Sequence, residues 1–295
     1  MDRLPKIADV RALLGDSAFL LDDGKTAILY DTGFAFTGER VAKNVRKALG
    51  ERPLDYIFLT HSHYDHAAGT PYIKKEFPMA KVIAGEYAAR IFQKPTAKAV
   101  MRELDGKFAK ASGVEEYEDL FDSLSVDRAV TDGDEIQTGK LLWEVLSLPG
   151  HTRCSIGFYC RDLGLLLSCE TIGVFNGEDD VVPSYLVGYQ MTLESIARVR
   201  ALSPKRILLP HFGLIEGGTV DFYLARAEER AKEVADVVLS MLREGKDKSE
   251  IAAYFEKIFW RGYVKEIYPI DAMRLNTGIT VALLEKELFA SGGEA

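Results

Sequence analysis

Apolar and polar positions change their rhythm along this chain. Up to about residue 216 short apolar runs alternate with turn residues, and beyond it apolar residues recur at helical spacing. Ser17–Asp22 and Thr26–Asp31 read as two strands joined by the hairpin signal Asp22-Asp23-Gly24, and Tyr56–Leu59 as a buried strand. Gly38–Leu49 reads as a helix, with Val41, Val45 and Leu49 on one face. Lys81–Ala84 returns as a short strand. Residues 85–122 carry helical spacing broken by Pro95, which predicts helices inserted between strands. Val126–Thr131, Glu135–Gln137 and Leu141–Leu148 follow as strands, then a hairpin of Ser155–Cys160 and Leu165–Ser168 turning at Asp162-Leu163-Gly164. Asn176–Tyr189 is polar and turn-rich, with Tyr185 and Tyr189 as candidates to line a cleft. Gln190–Leu202 reads as a helix, with Thr192 as a candidate N-cap, feeding the strand Arg206–Leu209. Helices are then expected from Tyr223 to Leu242, Lys248 to Phe259 and Asp271 to Phe289, and Ser291–Ala295 reads as a frayed tail.

The histidines change this picture from a fold to a site. The chain has five, and each follows an apolar run: three in Thr60-His61-Ser62-His63-Tyr64-Asp65-His66, then His151 after Leu148-Pro149-Gly150, and His211 after Leu208-Leu209-Pro210. Strand ends are where α/β sheets place their sites, whereas chance would scatter some histidines into helices and tails. Neutral imidazole and ionised carboxylate are ligands suited to Zn²⁺ and Fe²⁺, and a strand-end loop can turn several toward one point. The bland reading, a polar surface loop, leaves the placement of His151 and His211 unexplained.

In these residues the sequence resembles the metallo-β-lactamase superfamily: His-x-His-x-Asp-His, a His in Pro-Gly-His-Thr, an acidic residue after an apolar strand, and a late His. The resemblance covers about residues 10 to 215. It implies an α/β (α+β) fold, a four-layer αββα sandwich, here with the helical insertion near 85–122 and C-terminal helices. It implies a catalytic domain over residues 1–218 and a helical extension over 219–295 packed on it. It also implies two divalent metal ions, zinc first with iron or manganese as alternatives: His61, His63 and His151 on one, Asp65, His66 and His211 on the other. The bridging carboxylate would come from Cys169-Glu170-Thr171, where relatives usually have Gly-Asp-Thr, so Glu170 stands in for a shorter side chain. Asp31, in Asp31-Thr32-Gly33, would support the metal loop from behind; an ordinary strand-ending turn is the competing reading.

Composition narrows the partners. Acidic residues outnumber basic ones 45 to 37, a net charge of −8 that disfavours nucleic acid. No run of eighteen apolar residues suggests a membrane span, and Met1–Lys6 lacks the apolar core of a secretory signal. Three cysteines, Cys154, Cys160 and Cys169, do not make a disulfide framework and favour a reducing compartment, so a cytoplasmic protein is expected. A small-molecule substrate is the expected partner, with a homodimer left open. Arg90, Lys94, Lys98 and Arg102 recur every four residues, as a solvated helix face would, or as a row attracting an anionic substrate tail.

Two ions sharing a water make hydroxide available at neutral pH, so hydrolysis is the chemistry implied. Asp65 would both ligate and orient that nucleophile, making it the catalytic residue. The resemblance points to an ester, thioester or lactone of a small metabolite. Other readings on the same fold are a phosphodiesterase, a di-iron redox protein, against which His63 speaks because such relatives generally carry Glu there, and a non-catalytic ligand-binding effector.

Overall fold

A computed structural model describes residues 4–289; the C-terminal tail lies outside them. The chain divides into two compact units, residues 1–147 with 154–167, and residues 148–153 with 168–295. The class is mixed α/β with a helical C-terminal region, as expected.

The first unit is built on two sheets. One has six strands in sequential order: β1 (Lys6–Asp9), β2 (Phe19–Asp22), β3 (Ala27–Tyr30), β4 (Tyr56–Leu59), β5 (Lys81–Gly85) and β6 (Arg128–Val130). β1 to β3 run antiparallel; β3 to β6 are parallel. Parallel neighbours need crossovers, and helices supply them. α1 (Gly38–Leu49) follows β3, α2 (Tyr64–Ala67) and α3 (Thr70–Glu76) follow β4, and α4 (Glu86–Phe92) and α5 (Pro95–Ala111) follow β5. The insertion is therefore helical, as its spacing predicts. Three of the four residues of its basic row are engaged nearby: Arg90 pairs with Glu86, Arg102 with Asp119 and Asp122, and Lys98 donates to the Asp122 carbonyl. That favours the solvated face over an anion-attracting row.

The second sheet of this unit is an antiparallel meander, β7 (Glu135–Thr138), β8 (Leu141–Ser147), β9 (Ile156–Cys160) and β10 (Leu165–Leu167). Alternation along β4 divides its side chains between two cores. Ile57 and Leu59 join Val41, Val45, Tyr72 and Ile73 of the helices in one buried cluster. Phe58 faces the meander, stacked on Phe158 at 4.4 Å and edge-on to Trp143 at 6.0 Å. Each such ring buries surface worth about 1.5–3 kcal/mol, with about 0.5–1.5 kcal/mol more for a ring pair.

The second unit is mainly helical. After the loop 148–153 come β11 (Val174–Phe175) and β12 (Val181–Val182), paired antiparallel, then α6 (Tyr189–Leu202), β13 (Arg206–Leu209) and β14 (Gly213–Glu216). α7 (Gly218–Arg243), α8 (Lys248–Phe259), α9 (Tyr263–Ile267) and α10 (Ile270–Leu284) complete it. Thus the helices beyond residue 219 share a compact unit with the strands and loops carrying His151, Glu170 and His211. Gly188, not Thr192, occupies the N-cap of α6. Thr192 is buried one turn in and its hydroxyl donates back to the Gly188 carbonyl at 3.0 Å. Tyr185 is fully buried, its hydroxyl on the Ala231 carbonyl, so it is a core residue and lines no open cleft.

Candidate metal centre

The first unit gathers one set of donors at the C-terminal end of β4. Because β3 and β4 are parallel neighbours, Asp31 leaves β3 beside the start of the His61 loop. Its backbone is left-handed, with φ of 54°, a conformation held only where the surroundings dictate it. The surroundings are four donors. The buried carboxylate accepts the Thr60 amide at 2.9 Å, the Thr60 hydroxyl at 3.1 Å, the Ser17 hydroxyl at 2.8 Å and His66 Nδ1 at 2.7 Å. Asp31 is thus a support and not merely a turn.

These contacts assign the ring protons. Asp31 is acceptor-only, so His66 carries its proton on Nδ1 and its lone pair on Nε2. Thr60 gives its single hydroxyl proton to Asp31, so its oxygen receives Nδ1–H of His61 at 3.0 Å, and His61 likewise presents Nε2 as a base. The His61 ring lies 4.7 Å from His63 and 4.1 Å from His66, centroid to centroid, and an Asp65 oxygen lies 3.7 Å from His66 Nε2. His61, His63, Asp65 and His66 are therefore brought together. Gly69 permits the tight return behind them: a Cβ there would lie 2.0 Å from the Thr32 carbonyl oxygen. Between the histidines, Ser62 takes a hydrogen bond from the Cys154 thiol at 3.3 Å, and the Tyr64 ring packs 5.6 Å from Phe34. Burial first, then the nearby Asp65 and Asp105 charges, pushes the Tyr64 hydroxyl far above its ordinary range, so it stays neutral.

The second unit carries the rest. His151 follows Gly150, where a Cβ would meet the Thr192 hydroxyl at 2.1 Å. His151 Nδ1 lies 2.8 Å from the Ser184 carbonyl and 2.9 Å from its hydroxyl; the carbonyl can only accept, which again puts the lone pair on Nε2. Thr171 ties this loop to the Glu170 turn, accepting from the His151 amide at 3.2 Å and donating to the Leu148 carbonyl at 2.7 Å. Glu170 and His211 are buried and adjacent, Oε1 to Nε2 at 3.0 Å. His211, like Asp31, has a left-handed backbone, φ 60°.

Helices fix both of these last residues. The Tyr223 hydroxyl of α7 reaches the Ile172 carbonyl at 3.0 Å and the Gly173 carbonyl at 2.8 Å, bracing the turn that bears Glu170. The Tyr263 hydroxyl of α9 donates to the His211 carbonyl at 2.5 Å. Sequence reasoning missed Ser184, Tyr223 and Tyr263. No local motif marks them, since each acts on a loop far away along the chain. Thr171 was open to discovery as the neighbour of Glu170.

A histidine that ligates a metal usually gives its other ring proton to a carboxylate, carbonyl or similar acceptor, the pattern found at His61, His66 and His151. With the buried carboxylate of Glu170 and the half-buried one of Asp65, the donor chemistry fits divalent ions of the zinc type. The family model described as the metallo-β-lactamase superfamily matches residues 12–211. The chain belongs to the metallo-β-lactamase superfamily. Among its relatives, the "Beta-lactamase-like protein 2 homolog" of Drosophila melanogaster is 24% identical over 280 residues, covering 93% of this chain and 84% of that protein. The "Hydroxyacylglutathione hydrolase" of Brucella ovis is 29% identical over 119 residues, 40% of this chain and 34% of that protein, so the match spans about a third of that relative's length. A solved archaeal metallo-β-lactamase superfamily protein from Sulfolobus tokodaii shares the fold, with a TM-score of 0.62 at 18% identity over 97% of this chain and 100% of that one. Superfamily membership and the His, Asp and Glu clusters support a metal-dependent hydrolase.

Proposed function

We propose that the donors of the two units act together on two divalent ions, His61, His63 and His151 on one and Asp65, His66, Glu170 and His211 on the other. On this reading the protein hydrolyses an ester, thioester or lactone of a small metabolite. The observation that carries it is the shared ring chemistry of His61, His66 and His151, each with Nδ1 committed to an acceptor and Nε2 left basic. Bound, such ions supply an acidified water and an electrophile for the carbonyl oxygen. The chain's own residues do the positioning. Asp65, at the first turn of α2, accepts a hydrogen bond from the attacking water and sets its line of approach. Glu170 and His211 hold their geometry through α7 and α9, which is the role we assign to the helical end.

Within the substrate class, the thioester is favoured by the name of the Brucella relative. Zinc is the first assignment for the metal. Cytoplasmic residence fits the cysteines, all three of which are buried and outside any disulfide. Among the described residues, no helix is long and apolar enough to cross a membrane. The test is elemental analysis of the purified protein followed by assays on ester, thioester, lactone and phosphodiester substrates. His61→Ala and His151→Ala should each abolish turnover while circular dichroism stays native. A folded variant with unchanged turnover and metal content rejects the assignment, and phosphodiester turnover alone would replace the substrate class.

A further inference from the structure

The tip of the β11–β12 hairpin is tied down by charge. Residues 176–180, Asn-Gly-Glu-Asp-Asp, offer no apolar side chain to a core. Asn176 closes the turn on itself, its side-chain oxygen accepting the amides of Glu178, Asp179 and Asp180 at 2.9, 3.1 and 2.9 Å. Of the three acids only Asp180 turns inward, with 3% of its side chain exposed. Three arginines meet it there. Arg230 of α7 grips both carboxylate oxygens, Nε on Oδ1 at 2.7 Å and Nη2 on Oδ2 at 2.8 Å. Arg226, one turn earlier on α7, adds its Nε at 3.1 Å, and Arg261, between α8 and α9, adds Nη2 at 3.3 Å. Burial alone would push this carboxyl up, but the Arg230 hydrogen bond and charge outweigh it and hold the carboxyl below its ordinary range, so Asp180 is ionised at neutral pH. Bidentate bonds between ionised groups are among the strongest hydrogen bonds a protein makes.

What this tie holds is a hairpin that stands between two candidate ligands. β11 begins shortly after the Glu170 turn, and its two residues pair with β12 through Val174–Val182 and Phe175–Val181. Asp180 leads directly into β12, whose first amide, that of Val181, donates to its carboxylate at 3.0 Å. The Phe175 ring meets Phe212, the residue after His211, edge-on at 4.9 Å, and Tyr223, the brace of the Glu170 turn, at 5.8 Å. Phe212 in turn meets Tyr263, whose hydroxyl holds the His211 carbonyl. A hairpin free to swing would carry Phe175 away from both sides of the Glu170–His211 pair at once. We propose that Asp180 is a positioning residue for the second ion: clamped by Arg226, Arg230 and Arg261, it holds the β11–β12 hairpin between Glu170 and His211 and so sets the spacing of that ligand pair. The inference rests on the two-ion reading of the site. With Asp180 neutral, Arg226 and Arg230, each four-fifths buried, lose the acceptor they share, and removing one partner of a buried ion pair costs far more than the pair contributes.

The experiment titrates the full-length protein with zinc against a chromophoric chelator, and records imidazole NMR spectra of the metal-free protein, whose five histidines give five ring signals to assign. Asp180→Asn should weaken the second ion about tenfold, the lower end of the range for a residue that touches a ligand directly. It should leave the first ion unchanged, and move the His211 ring signal while those of His61, His63 and His66 stay. Arg261→Ala, which removes the most exposed arm of the clamp, should weaken the second ion about threefold, as a half-exposed ion pair would, and serves if Asp180→Asn does not fold. Val238→Ala, which hollows the buried face of α7, is the control for general destabilisation: it should lower stability and leave both affinities unchanged. With two ions on the wild type, an unchanged second affinity in the folded Asp180 or Arg261 variant, or an equal loss in Val238→Ala, overturns the positioning role and leaves the two-ion reading intact. Fewer than two ions on the wild type, with a His211 signal that moves in Asp180→Asn, keeps the clamp's hold on His211 and refutes the two-ion reading. Fewer than two ions and an unmoved signal refute both.

Discussion

Asp31→Asn isolates the support of the first donor set, because Asn tolerates the left-handed backbone and leaves side-chain volume unchanged. One carboxylate oxygen, Oδ1, accepts the Thr60 amide; the other, Oδ2, accepts Ser17 and His66; and the Thr60 hydroxyl lies 3.1 Å from both. An amide nitrogen cannot take the Oδ1 place, since the Thr60 N–H cannot turn away. It must take the Oδ2 place. Ser17 can rotate its hydroxyl to accept, but Nδ1–H of His66 then faces another N–H. The ring escapes only by moving its proton to Nε2, which removes the lone pair a metal would use. Losing the charge-assisted bond and mismatching one buried donor should cost about 2–4 kcal/mol of stability. Disturbing such an outer partner should weaken metal binding about 10- to 100-fold. Urea unfolding of the metal-free protein measures the first, and competition with a chelator the second. Ser17→Ala, which removes one neutral donor, should cost about 1 kcal/mol and leave metal affinity within a few-fold. An Asp31→Asn protein within about 0.5 kcal/mol of wild type that keeps its metal affinity would refute the tautomer argument.

Other expectations follow from individual contacts. Asp105, fully buried on α5, is pushed up to about 6 by burial, although it accepts the Ala35 amide at 2.8 Å. From about pH 4 to 6 the unfolded chain releases a proton that the folded one keeps, so stability falls through that window by about 3 kcal/mol and then levels off. Asp105→Asn should flatten that slope and be the more stable protein at pH 7.5; identical pH profiles in urea unfolding would contradict it. Gly69→Ala should destabilise by about 2–4 kcal/mol, since its methyl meets the Thr32 carbonyl at 2.0 Å, and a normal melting temperature would show that α3 shifts freely. Tyr223→Phe removes the brace of the Glu170 turn and should lower stability by about 1–2 kcal/mol and reduce metal stoichiometry, whereas a stability loss with full stoichiometry would make it a purely structural tyrosine.

Much of this site was legible because its chemistry is concentrated where apolar runs stop. A strand that must be buried names its own end, and five histidines at such ends are hard to read otherwise. Asp31 was legible as a candidate only: Asp-Thr-Gly after a strand is also a common turn, and what separates the two is His66, thirty-five residues on. The long helices declared themselves through spacing, α7 above all, whose buried face includes Ala227, Ala231, Val234 and Val238. Short strands did not. β1, β11, β12 and β14 carry at most two consecutive apolar residues each, no more than a turn or loop does, and so lack the apolar run that gives away β4 or β10 at similar length. The α6 cap was misread because Thr192 is a good cap by type, but the buried Thr192 bonds the Gly188 carbonyl one turn earlier. Tyr223 and Tyr263 reach their targets by tertiary contact alone, and no window of sequence contains both partners.

The central claim is that donors from both compact units share metal ions. Anomalous diffraction from crystals of the zinc-loaded protein tests it most directly. The account predicts two zinc peaks, one with nitrogens of His61, His63 and His151 at about 2.0–2.1 Å, the other with Asp65, His66, Glu170 and His211 around it. Zinc bound by residues of one unit only, or absent from these seven side chains, would contradict it.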